Sequence, residues 1–229
     1  MRRRVRIIAY CAKRRPARLW GALILLCALV TPTMLTSPSG PESLPWIGCL
    51  PGIEQPHIPF SPPPLWLFVH LWTCLIALDQ SRPGQQCEAE QSTVRTHSLG
   101  EMRGAGLVWG ALCGAMSSGL VLGMGLCVLR TSSAASNVPD GIFWSAAVCV
   151  AMSALCCAVG QVLGSTRALA ASAAYLIICA YLPSGNPALF VSTGMLTRGV
   201  PHEQVLTGIV FAAAVTMILS KLSARGDVS

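Results

Sequence analysis

The chain has 229 residues, of which 53% are hydrophobic and only 11% charged, with a formal net charge of +7. A soluble domain of this length carries about 25% charged residues, so the composition excludes an ordinary water-soluble fold and points to an integral membrane protein. Nor does the positive charge describe a nucleic-acid face, because eight of the sixteen Lys and Arg residues fall in the first eighteen positions, directly before an apolar run.

Residues 1–18 are read as a basic cytoplasmic or interfacial segment, whose first half is apolar enough to lie along the membrane with its arginines at anionic headgroups. Pro16 marks the break before the first apolar run. The basic region is long and "TPTMLTSPSG" lacks a small-x-small cleavage site, which predicts a retained helix rather than a secretory signal.

Six apolar runs follow: Leu19–Leu35, Leu65–Leu78, Gly106–Leu129, Ile142–Gly164, Ala168–Leu182 and Val205–Leu219. A helix needs roughly twenty residues to cross a hydrocarbon core of about 30 Å. The third and fourth runs meet that length, whereas the second and fifth are short. With the N-terminus inside, the inner segments carry eight, three, one and two basic residues, while the outer loops carry none, Arg130 and Arg198. This asymmetry predicts an all-α, polytopic fold in the cell membrane, with six transmembrane helices over 19–229 and both termini cytoplasmic.

Residues 77–106, "ALDQSRPGQQCEAEQSTVRTHSLGEMRGAG", hold seven of the 25 Asp, Glu, Lys and Arg residues and form the largest inner loop, over 79–104. A turn is expected at Pro83–Gly84. A short amphipathic helix beyond it would offer Glu88, Glu90, Arg95 and Glu101 to the cytoplasm; a solvated linker is the other reading.

In the third run Gly106, Gly110 and Gly114, then Gly119 and Gly123, recur every four residues. Each series lies along one helix face and predicts close helix packing, within the chain or between subunits. Polar groups in the runs are few. Asp79 is placed at the inner boundary, His70 lacks a carboxylate partner at helical spacing, and Gln161 with Arg167 is read as an inner-boundary pair. On the outer side, 37–64 is proline-rich and nearly uncharged, which suits an extended cap. Residues 183–203, apolar and bracketed by Pro and Gly, suit a segment that dips back into the bilayer.

No catalytic, cofactor or metal site is predicted. Ser117 and Ser118 would need a nearby base, and His70 is the one histidine in a span. The chain has no H-E-x-x-H and no G-x-x-x-x-G-K-[ST] phosphate loop. Eight of the eleven cysteines lie within apolar runs, and none forms a C-x-x-C pair.

The layout resembles the membrane subunit of ABC transporters of the type 2 exporter class. The resemblance lies in "LDQSRPGQQCEAEQS" followed by "VRTHSLGEMRGAGLVWG" after the second apolar run, in the outer piece 183–203, and in the closing "LSKLSARGDVS". The long proline-rich first outer loop and the short second run depart from the family pattern. The resemblance implies a permease that exports a substrate with ATP hydrolysed by a separate ABC ATPase subunit, and a second permease copy or paralogue as dimer partner. It assigns the docking contacts to Glu88, Glu90, Arg95 and Glu101. Two other classes remain open: a non-transport accessory or immunity protein acting through helix contacts, and an intramembrane enzyme.

Overall fold

The computed structural model describes residues 16–35, 64–90, 99–130, 138–181, 188 and 202–225. Among them there are six helices and no strand: α1 (Pro16–Leu35), α2 (Pro64–Glu90), α3 (Leu99–Arg130), α4 (Val138–Leu163), α5 (Ser165–Tyr181) and α6 (His202–Arg225). Pro16 opens α1 at the position where a missing N–H costs nothing.

Three stretches among the described residues are long and apolar enough to cross a membrane: Arg103–Val121, Ala146–Leu163 and Glu203–Leu222. Pro16–Pro32 and Ser165–Cys179 are shorter apolar helices. Where the side chains point gives the same reading. On α6, Val205, Ala212 and Thr216 are buried, while Leu206, Val210, Phe211, Met217, Ile218 and Leu222 are exposed. α1 likewise exposes Trp20, Ile24, Leu25 and Leu29. Water tolerates apolar patches of this extent poorly, and lipid accepts them. The small polar side chains Thr73, Ser117, Ser118, Ser153 and Ser172 point inward instead.

Contacts between residues fix the helix directions. Gln80 of α2 meets Trp109 of α3, and Ile76 shares a cluster with Cys113, so these two helices are antiparallel. α3 and α4 are antiparallel too, with Gly110 at Cys157 and Gly114 at Ser153. α1 runs against α2, through Arg18–Asp79 and Trp72–Ala22. α2, α3 and α4 pack on one another at the centre; α1 lies over the α2–α3 groove, α5 over α2–α4, and α6 over α3–α4. The main core collects Trp66, Cys74, Leu78, Val148, Met152, Cys156, Leu176 and Val205 from α2, α4, α5 and α6.

One residue joins α4 to α5. Gly164 has φ of 84°; its N–H donates to the Gly160 carbonyl, and its own carbonyl accepts from the Ala168 N–H, both at 3.0 Å. It therefore closes one helix and opens the next, in a left-handed conformation that costs an L side chain about 1–2 kcal/mol.

The turn expected at Pro83–Gly84 is not formed: α2 is one helix of 27 residues from Pro64 to Glu90. Proline withdraws one intrahelical donor, toward the carbonyl of Asp79, but the flanking bonds carry the helix through. The segment read as a 79–104 loop is accordingly two helix ends, with only 91–98 between them outside the described residues. The basic piece before Pro16, the outer cap at 37–63 and most of 183–201 also lie outside them.

Candidate functional site at the root of the second helix

Gln80 and Ser81 of α2 are buried. The helix then continues nine residues to Glu90, a further distance of about 13 Å at 1.5 Å per residue. At its root the side chains are polar and linked. Arg18 Nη1 lies 3.8 Å from Asp79 Oδ1, the guanidinium side chain 67% exposed and the carboxylate side chain 27%. Gln80 Nε2 donates to Asp79 Oδ2 at 3.3 Å, and Trp109 Nε1 donates to Gln80 Oε1 at 3.4 Å. Together these contacts form a chain from α1 through α2 to α3.

The same end of the bundle holds the first turn of α3 and the last turn of α4. Gln161 Nε2 donates to the Arg103 carbonyl at 2.8 Å, so the expected Gln161–Arg167 pair is replaced by a link from α4 to α3. The cause is packing: Gln161 is half-buried against α3, whereas Arg167 is exposed on α5. Gln161 Oε1 is buried with no partner. Arg18, Arg103 and Arg167 thus share the Asp79 end of the bundle.

Of the four docking residues expected from sequence, Glu88 and Glu90 fall on the final turns of α2 and Glu101 on the first turn of α3. Their side chains, and Arg95 altogether, lie outside the described residues. The helix register still matters, because at 100° per residue positions 88 and 90 are about 200° apart around α2. They do not share a face.

The five glycines divide. Gly106 and Gly110 are buried. A Cβ at Gly110 would stand 2.7 Å from the Ala77 carbonyl oxygen and 2.9 Å from Cys157 Sγ. At Gly114 it would meet Ser153 Cβ and Oγ at 2.6 Å. At Gly119 and Gly123 it would meet nothing within 4 Å. Among these glycines, an added Cβ would collide at Gly110 and Gly114 and not at Gly119 or Gly123.

Deeper in the bundle, His70 Nδ1 lies 2.9 Å from the Trp66 carbonyl, which fixes the proton on Nδ1 in the neutral ring. The Trp66 ring packs on His70 with centroids 4.5 Å apart, and Trp66 Nε1 is buried without an acceptor. Thr73 Oγ1 donates to the His70 carbonyl at 2.9 Å and lies 3.1 Å from Cys149 Sγ. Ser117 and Ser118 both donate to the Gly114 carbonyl, at 2.9 and 2.7 Å. These hydroxyl protons are spent on their own helix backbone, the usual arrangement of small hydroxyls in buried helices. Among the described residues no group of three His, Cys, Asp or Glu is placed to hold a metal.

Toward the far end of α5, Tyr175 Oη donates to the Ala188 carbonyl at 2.7 Å. Tyr175 lies six residues before the last residue of α5, about 9 Å along its axis, so the chain after α5 comes back alongside that helix at residue 188. The polar chain Arg18–Asp79–Gln80–Trp109 had no counterpart in the sequence reading, because its links between helices join residues 61 and 29 positions apart. Asp79 beside an amide, just past an apolar run, was the one local sign of it.

Comparison with protein-family models, with characterised proteins and with solved structures returns no match.

Proposed function

We propose that the chain is the permease subunit of an ATP-binding-cassette exporter in the bacterial plasma membrane. In this reading all six helices span, both termini and the Asp79 end face the cytoplasm, and the chain pairs with a second copy or a paralogue. A separate ATPase subunit supplies the energy.

The observation that carries the reading is the continuity of α2. One helix runs from the core, where Trp66 is 1% exposed, to Glu90. A continuous helix transmits displacement along its axis, so a partner that moves its 82–90 end displaces buried residues with it. Two further features support the orientation. The arginines at the Asp79 end obey the positive-inside bias, and the far end carries the nearly uncharged proline-rich segment. The close contacts of α2, α3 and α4 at Gly110 and Gly114 fill the centre of one chain, which favours a substrate path between two copies over one through a single bundle.

The test is capture in place. A photoreactive amino acid at position 90, in the native membrane of the cell that makes this protein, is expected to cross-link a protein bearing a Walker-type phosphate loop. Cross-links that go only to other membrane proteins or to lipid would reject the permease reading in favour of an accessory protein.

A further inference from the structure

We draw no further inference here: the strongest candidate, the exposed apolar face of α3 at Leu112, Met116, Gly119, Leu120 and Gly123, carries nothing, because nothing in the structure shows what covers it.

Discussion

Gly114→Ala is expected to lower the thermal midpoint of the purified protein in detergent by about 5–10 °C, corresponding to about 1–3 kcal/mol for a chain of this size. The new methyl would stand 2.6 Å from both Cβ and Oγ of Ser153, a separation that carbon atoms do not tolerate. Moving α4 away is not a cheap escape, because one turn earlier α3 is packed so closely at Gly110 that an added Cβ would stand 2.9 Å from Cys157 Sγ and 2.7 Å from the Ala77 carbonyl oxygen. Both helices would have to separate along the whole contact, giving up the Ser153–Gly114 and Cys157–Gly110 packing together. Gly110→Ala meets the Ala77 backbone as well as the Cys157 side chain and should be at least as harmful. Gly119→Ala and Gly123→Ala provide the contrast. With nothing within 4 Å of either position, each should fall within about 1 kcal/mol of the parent, on the stabilising side, since alanine is the better helix former. Combining Gly114→Ala with Ser153→Gly should recover most of the loss, because the clashing atoms are removed. Equal effects at all five glycines would show that helix propensity, not close approach, governs α3.

The second large effect concerns coupling. In a complex reconstituted with the ATPase captured at position 90, reversing Glu88 and Glu90 together to lysine is expected to cut permease-stimulated ATP hydrolysis at least tenfold. Breaking one charge pair buried at an interface costs about 2–5 kcal/mol, and about 1.4 kcal/mol already amounts to a factor of ten. Because the two positions lie about 200° apart on α2, the single reversals should be unequal: one should carry most of the loss and the other little. Unchanged hydrolysis in the double variant would remove both residues from the docking contact.

Much of this arrangement was legible from hydropathy. The first, third, fourth, fifth and sixth apolar runs each became one helix, with ends displaced by a few residues; the third, for example, begins at Leu99 and not Gly106. The second run misled for a specific reason. Its apolar part stops at Leu78, and Pro83–Gly84 is ordinarily a turn, yet the backbone remains helical to Glu90. Helix bonds on both sides of one missing donor outweighed the local preference.

The glycine pattern was read correctly as periodic, but period alone does not distinguish a face that meets Ser153 from one that meets nothing. That distinction depends on where α2 and α4 lie. The same holds for the polar end. Asp79 was placed at a boundary on composition, but its link to Arg18, and the link of Gln161 to the Arg103 carbonyl, join positions far apart in the chain. Apart from the position of Asp79 just past an apolar run, nothing local marks such partners.

The most direct check is the sidedness of position 90. A tag placed there is offered a membrane-impermeant reagent, first in intact cells and then in inside-out vesicles. Labelling confined to the vesicles is the outcome that the cytoplasmic rod requires, whereas labelling of intact cells would put the end of α2 outside, beyond the reach of any ATPase.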